Sequence, residues 1–169
     1  TVNMIIEPVN DPPSASNPFE FLVLDEETTY EFPIPVKDVD HYEDWWTTMR
    51  VNLTVSHGTI WVMTEIGFRW HVNSSKHLSF EGEMGKLNDA LERIQYKGDL
   101  NFYGNDTLNF TIEDNGLHGR GGPKIVSYAF PIYVRPIFDP FVAITPVSFI
   151  GSENATLLLS GISIFDIED

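Results

Sequence analysis

The stretch that decides the fold is Thr107-Leu108-Asn109-Phe110-Thr111-Ile112, in which polar and apolar side chains alternate. A period of two is typical of a half-buried antiparallel β-strand. The same alternation occurs in Thr29–Val36 and Met49–Val55, and Ile125–Val134 is predicted as a later strand. Many short strands at near-regular spacing predict an all-β fold, an antiparallel Greek-key β-sandwich.

Two connections and one helix complete the pattern. Ser56–Thr59 is interpreted as a tight hairpin turn after the strand that ends at Val55. Gly85–Ile94 has apolar residues at intervals of three and four, which predicts a short helix at one end of the sandwich. The glycine-rich loop Gly116–Gly122 joins two strands and precedes no helix, so we interpret it as a flexible loop and not as a phosphate-binding loop.

The charge balance narrows the class of partner. The chain has 169 residues, with 25 acidic against 10 basic side chains and a net charge of −15. This balance argues against nucleic acids and anionic membranes as partners, and it favours cations or simple solubility. There is no cysteine, no signal peptide and no run of the roughly 20 apolar residues that a membrane helix needs. Thr1–Ile6 reads as the middle of a strand, so we expect the natural N-terminus elsewhere.

Five glycosylation sequons predict an extracellular or cell-surface protein that passes through the secretory pathway and carries N-linked glycans. The asparagines are Asn52, Asn73, Asn105, Asn109 and Asn154. The strand periodicity puts Asn52 and Asn109 on an outer face, where a glycan is tolerated. The alternative is that a β-protein rich in asparagine and threonine forms sequons by accident.

An acidic signature occurs twice, about one domain apart. Its first copy runs from Asn10-Asp11-Pro12-Pro13 to Asp38-Val39-Asp40, and its second from Asp139-Pro140 to Asp166–Asp169. An internal period of this kind is typical of a tandem array. We therefore predict the end of a preceding repeat in residues 1–9, a complete repeat in 10–138 and the start of a following repeat in 139–169.

The acids of this signature fall at predicted strand ends. Carboxylates from separate loops can converge there on a hard cation such as calcium. The alternative for Asp38–Asp44 is a solvated acidic turn, because acids in turns bond to their own backbone. The recurrence of the cluster near the end of the chain favours ligands.

The ordered set of motifs resembles the cadherin-like and proteoglycan-type tandem repeats of large extracellular surface and filament proteins. The motifs are Asn10–Pro13, Asp25–Thr28, Asp38–Asp40, Leu87–Leu91 and Asn105–Gly116. The resemblance covers nearly all of Asn10–Val134. It implies a cadherin- or immunoglobulin-like sandwich in a linear array, with calcium at the junctions and a structural or adhesive role.

The resemblance also implies two sets of calcium ligands. For the junction before this repeat they are Asn10, Asp11, Asp38, Asp40 and Asp114. For the junction after it they are Glu26 or Glu27, Asp139, Asp166 and Glu168. Phe138 stands where the first linker has Asn10, and Glu168 replaces the second Asp of the pair, so the second site is expected to bind calcium weakly or not at all.

The sequence predicts a protein that is not an enzyme. It contains no nucleophile elbow, phosphate loop or dinucleotide fingerprint, and its histidines lack metal-site spacing. The expected partners are neighbouring repeats of the same chain, other copies or cell-surface proteins. The alternative function is a carbohydrate- or protein-binding module that uses Trp45 and Trp46, whose rings could stack on a sugar or a partner.

Overall fold

The computed structural model describes residues 3–16, 19–42, 47–64, 67–116, 119–138, 141–145, 148, 150–156 and 160–165. Contacts divide the chain into two compact units, Thr1–Pro136 and Ile137–Asp169. That the two ends belong to further repeats stays a prediction.

Strands make up most of the regular structure, as the alternating pattern predicts. The elements of the described residues are β1 Ser14–Ala15, β2 Leu22–Asp25, β3 Thr29–Phe32, β4 Val36–Lys37, a 3-10 turn Asp40–Tyr42, β5 Thr48–Thr54, β6 Gly58–Val62, β7 Phe68–Ser74, β8 His77–Glu83, α1 Met84–Leu91, β9 Ile94–Gly98, β10 Gly104–Glu113, β11 Ile125–Arg135, β12 Val142–Ile144 and β13 Ser163–Phe165. None of the helices in this part of the chain is long and apolar enough to cross a membrane.

Two sheets form the sandwich of the first unit. The larger has six strands in the order β2-β11-β10-β5-β8-β7, and the smaller has three in the order β3-β9-β6. The chain passes from the larger to the smaller sheet after β2, β5 and β8, and it returns to the larger sheet at β5, β7 and β10. Strands that are neighbours in a sheet are therefore often distant in sequence. The predicted Greek-key β-sandwich is confirmed. One detail differs, because β2 pairs with β11 in parallel.

The core lies between the two sheets. Leu108, Phe110 and Ile112 of β10 are fully buried, and their polar neighbours face outward, as the period of two predicts. Helix α1 contributes a buried apolar side from Leu87 to Leu91. The spacing of three and four in the sequence is therefore the side of the helix that packs on the sandwich.

The predicted hairpin at Ser56–Thr59 is wrong. Strand β6 pairs with β9 in the smaller sheet, whereas β5 belongs to the larger sheet. The N–H groups of Ser56 and His57 donate to the buried Asp106 carboxylate at 3.1 and 3.0 Å, and the Tyr96 hydroxyl donates to it at 3.0 Å. Burial raises the pKa of the Tyr96 phenol, and the nearby Asp106 charge raises it further. A buried carboxylate thus supports a crossover between sheets where the sequence suggested a tight turn.

The second unit contains a short antiparallel pair. Val142–Ile144 (β12) lies beside Ser163–Phe165 (β13). Large apolar side chains are exposed in this unit, among them Phe138 at 87% and Ile150 at 91%.

Candidate functional site

The segment from Glu7 to Asp11 is fixed on the first unit, and its contacts are the main candidate site. The backbone N–H of Asn10 donates to the carbonyl of Arg120 at 2.9 Å, and the N–H of Arg120 donates to the carbonyl of Pro8 at 3.0 Å. The Arg120 guanidinium pairs with the Glu7 carboxylate at 2.6 Å. We call this arrangement the N-terminal clamp; its members are Glu7–Asp11, Asp40, Asp114 and Gly119–Gly122.

The Asn10 side chain is the buried centre of the clamp, with 4% of its surface exposed. Its amide nitrogen donates to Asp114 Oδ2 at 2.7 Å and to the carbonyl of Gly122 at 3.0 Å. Asp114 Oδ1 also accepts from the N–H groups of Gly116 and Lys124, both at 2.8 Å. Asp114 therefore shapes the loop after β10 and holds the incoming segment at the same time.

Asp11 continues the clamp to a second loop. Its N–H donates to Asp40 Oδ2 at 2.7 Å, and the N–H of Asp40 donates to Asp38 Oδ1 at 2.9 Å. The five residues predicted for the first junction therefore form two hydrogen-bonded groups, one around Asn10 and one around Asp40, which meet at the consecutive residues Asn10 and Asp11. Several of their carboxylate oxygens accept backbone N–H groups, and among the described residues no three or more acidic or histidine side chains are grouped to hold a metal ion. Calcium here stays a prediction.

The residues predicted for the second junction are only partly described. Glu26 is 1% exposed, and its backbone N–H donates to the carbonyl of Arg135 at 2.9 Å. Glu27 is exposed and has a φ of 61°. Asp139, Asp166 and Glu168 lie outside the described residues. Their role as ligands stays a prediction.

The glycine-rich loop is part of the clamp, a role that its composition did not reveal. Gly119 has a φ of +65°, and a Cβ atom there would lie 2.7 Å from the carbonyl carbon and oxygen of Pro8. Gly122 has a similar φ of +67°, but a Cβ atom there would meet nothing within 4 Å. Glycine at position 119 therefore permits both the left-handed backbone and the close approach of the N-terminal segment.

Two sequons face each other across neighbouring strands. Asn52 of β5 lies opposite Thr111 of β10, and Asn109 lies opposite Thr54. The half-buried Asn52 amide donates to Thr111 Oγ1 at 3.2 Å, whereas Asn109 is exposed. The other sequon asparagines are exposed: Asn73, Asn105 and Asn154. Glycosylation of these positions stays a prediction.

A polar cluster lies on the outer face of the larger sheet. Glu81 accepts hydrogen bonds from Arg50 and Thr48 at 3.1 Å and lies 3.1 Å from His71 Nε2. Burial raises the pKa of the Glu81 carboxyl, but the hydrogen bonds to Arg50, His71 and Thr48 outweigh this effect and hold the pKa below its ordinary value of 4.5. This carboxylate is therefore ionised at neutral pH and links three strands.

The aromatic pair proposed for sugar or protein binding, Trp45 and Trp46, lies outside the described residues. The two described tryptophans differ in their surroundings. Trp70 packs edge-on against Phe68 and Phe80 at centroid distances of 5.3 and 5.2 Å. Trp61 of β6 is half-buried and alternates with the buried Ile60 and Val62, so it belongs to the outer face of the smaller sheet. The sequence reasoning did not single out Trp61.

Two solved structures resemble the chain weakly. AggA, the major subunit of aggregative adherence fimbriae type I from Escherichia coli, is 10% identical, with a TM-score of 0.40 over 75% of this chain and 98% of that one. The sixth cohesin from scaffoldin B of Acetivibrio cellulolyticus, solved with a Cel5 dockerin mutant, is 9% identical, with a TM-score of 0.40 over 69% and 95%. At this distance they carry no functional argument.

Sequence similarity is clearer. A family model described as the Protein GAMETE EXPRESSED 2 domain matches residues 40–119. Protein GAMETE EXPRESSED 2 from Arabidopsis thaliana is 31% identical over 84 residues, which are 48% of this chain and 8% of that protein. The similarity therefore spans less than a tenth of the relative's length.

The resemblance to cadherin-like and proteoglycan-type repeats is wrong, because the matches are to the GAMETE EXPRESSED 2 domain and no cadherin-like repeat family is found. The acidic residues that suggested the resemblance accept hydrogen bonds from backbone N–H groups of nearby turns. Asp38 accepts the N–H of Asp40 two residues on, and Asp114 accepts two N–H groups of its own loop. Such tasks recur in many β-sandwiches and do not mark one family. What the chain is similar to, over residues 40–119, is the Protein GAMETE EXPRESSED 2 domain.

Proposed function

We propose that this chain is part of a non-enzymatic, extracellular structural or adhesive protein of gametes. In this proposal the first unit is a rigid spacer in a longer chain, and its clamp sets the direction in which the preceding segment leaves. The name of the Arabidopsis relative supports expression in gametes. The five sequons support an extracellular position.

The N-terminal clamp is the observation that carries the proposal. A bare linker leaves neighbouring domains free to swing. Here the carbonyl of Pro8 and the N–H of Asn10 both bond to the backbone of Arg120, and the Asn10 side chain is buried against Asp114. Because these bonds come from more than one loop of the sandwich, the segment can move only if the bonds break, and it is held rigidly on the sandwich.

Calcium at this end of the unit is a separate proposal. It is supported by the net charge of −15 and by the backbone-to-carboxylate hydrogen bonds that join Asp11 to Asp40 and Asp40 to Asp38. Calcium takes six to eight oxygen ligands, so the Asp11 carboxylate and the Asp40 oxygen that accepts no bond from the described residues would have to supply ligands together with carbonyls or water. The ion would add to the rigidity that the protein groups already supply.

The experiment that tests the main proposal uses the full-length protein in its own organism. Antibodies against an epitope tag are applied to intact gametes, and gamete attachment is counted after deletion of residues 10–136. We expect surface staining, a glycosidase-sensitive mass and reduced attachment. A protein that stays inside the cell without glycans, or a deletion that leaves attachment unchanged, would contradict the proposal.

A further inference from the structure

The outer face of the smaller sheet carries an aromatic and polar row. Trp61 of β6 and Glu31 of β3 both lie opposite Gln95 of the central strand β9. Strands in a sheet are about 4.8 Å apart, so the three residues form a row roughly 10 Å long. The alternation of buried and outward residues along β6 and β9 puts Trp61 and Gln95 on one surface. The hydrogen bond from the Gln95 amide to the Glu31 carboxylate puts Glu31 on the same surface.

The Trp61 indole is not used by the core. Among the described residues, Trp61 is absent from the side chains that pack against the core, and its N–H has no hydrogen-bond partner and is not buried. Trp70, by contrast, packs within an aromatic cluster. An indole that is partly exposed to solvent offers a ligand both an apolar ring face and an N–H donor.

The polar end of the row is already in place without a ligand. Arg93 donates to the two oxygens of Glu31 at 2.9 and 3.1 Å, and the Gln95 amide donates to one of them at 2.7 Å. The hydrogen bonds from Arg93 and Gln95 lower the pKa of Glu31, so the carboxylate stays ionised at neutral pH. Arg93 keeps further N–H groups, and the Gln95 amide oxygen accepts no bond from the described residues.

A groove continues this row. Glu31 and Arg93 line an open cavity of about 740 Å³, together with Pro33, Pro35 and Glu92. This volume falls within the range of small-ligand sites, roughly 300–1,000 Å³. The row itself, roughly 10 Å long, spans about two linked sugar rings, and the groove adds space beside its polar end.

The composition of the face favours a sugar over a protein. Protein interfaces need a sizeable apolar centre, whereas this face has one indole and two prolines among charged and amide groups. Vicinal hydroxyls of a sugar pair well with planar carboxylate, amide and guanidinium groups, and the ring C–H groups pack on an indole. The charges of Glu31 and Arg93 cancel, and Glu92 adds a negative charge, which disfavours an acidic polysaccharide.

The glycosylation sequons of the first unit leave this face free. None of their asparagines lies in β3, β6 or β9, whereas Asn52, Asn73, Asn105 and Asn109 are in β5, β7 and β10 of the larger sheet. A glycan of the first unit would therefore extend from the opposite side of the sandwich.

We propose that the face formed by Trp61, Gln95, Glu31 and Arg93, with the adjoining groove, binds a neutral oligosaccharide. This inference rests on the proposed adhesive role, for which it names the class of partner. The indole stacks on one ring, and the polar groups bond to hydroxyls of the next.

The test uses the full chain, labelled with ¹⁵N, and neutral probes: cellohexaose, mannohexaose and xylohexaose. The indole N–H resonance of Trp61, assigned with Trp61→Phe, should shift with at least one probe. Trp61→Ala should weaken that binding at least tenfold. Tyr133→Ala is the matched control, because it removes a half-buried aromatic ring from the outer face of the larger sheet; it should bind as the wild type does.

Two further measurements separate failure of the sugar site from unfolding of the variant and from failure of the spacer role. The melting temperature of Trp61→Ala should match that of the wild type, since the ring lies outside the core. If no probe moves the Trp61 resonance, or if Trp61→Ala and Tyr133→Ala bind equally, the sugar site is refuted. Amide exchange at Asn10 and Arg120 reports on the clamp independently, so the spacer role stands or fails separately from this site.

Discussion

Substitution of Gly119 by alanine tests the N-terminal clamp most directly. A residue with a Cβ atom in the left-handed region costs about 1–2 kcal/mol. At Gly119 the new atom would also lie 2.7 Å from backbone atoms of Pro8, which is closer than real Cβ contacts allow. The segment must move, and the two backbone hydrogen bonds between Pro8–Asn10 and Arg120 are then lost.

Gly122→Ala separates these two effects. Gly122 has nearly the same φ, +67° against +65°, but a Cβ atom there meets nothing within 4 Å. Both variants therefore bear the same backbone cost. Only Gly119→Ala also loses the two hydrogen bonds, which are worth about 1–3 kcal/mol together.

The assay is residue-resolved amide hydrogen exchange. A loss of 1–3 kcal/mol accelerates exchange by roughly 5- to 150-fold, because each 1.4 kcal/mol is a factor of ten. We expect this acceleration at the Asn10 and Arg120 amides in Gly119→Ala and little change there in Gly122→Ala. Equal protection in the two variants would refute the argument that close packing of the loop holds the segment.

Three other outcomes follow from named contacts. Millimolar calcium should raise the melting temperature over EDTA by several degrees, and Asp38→Ala with Asp40→Ala should lose the gain; no shift in the wild type would leave these acids as turn residues. Asp106→Ala should cost about 3 kcal/mol in urea unfolding, since four donors lose a buried acceptor. Asp99→Ala removes only an exposed ion pair and should cost at most about 1 kcal/mol. The pKa of Glu81 is lowered on folding, so the stability that its carboxylate contributes is present above pH 4.5 and is lost as pH falls through the pKa of the folded state. Glu81→Gln should flatten that part of the curve of unfolding free energy against pH. An unchanged curve would count against a stabilising role for the hydrogen bonds of Glu81 to Arg50, His71 and Thr48.

The five sequons should differ in their glycan occupancy. Peptide mass spectrometry of the secreted protein should find high occupancy at the exposed Asn105 and Asn109 and the lowest at Asn52. The Asn52 amide is half-buried and bonded to Thr111, so a glycan there must be added before β5 and β10 pair, and the folded sheet crowds it. Full occupancy at Asn52 with a normal melting temperature would contradict this ranking.

The local elements were largely predictable. Alternation in Thr107–Ile112 gave β10 and its buried face, and the spacing of Leu87 and Leu91 gave α1. The hairpin at Ser56–Thr59 failed because short-range pattern cannot tell a turn within one sheet from a crossover between two. That choice depended on Asp106, fifty residues away, whose carboxylate accepts both crossover N–H groups.

For the first predicted junction, the sequence singled out residues that lie near one another, but not the groups to which they bond. The sequence singled out Asn10, Asp11, Asp38, Asp40 and Asp114, and the structure brings them together. Their hydrogen-bond partners are mostly backbone groups, which have no sequence signal. Gly119 and Trp61 also have no sequence signal. The contact of Gly119 with Pro8 and the position of Trp61 on the outer face of the smaller sheet both depend on the fold.

By itself, the sequence determined the β-sandwich, the direction of its core faces, the sequons and the acidic character of the chain. These follow from side-chain period and composition, which act locally. Only the tertiary structure decided that the glycine-rich loop receives the N-terminal segment, that two sequons face each other, and that Trp61, Gln95 and Glu31 form one row. Each of these joins residues distant in the chain, and their meeting is set by sheet register and strand order, which no local pattern specifies.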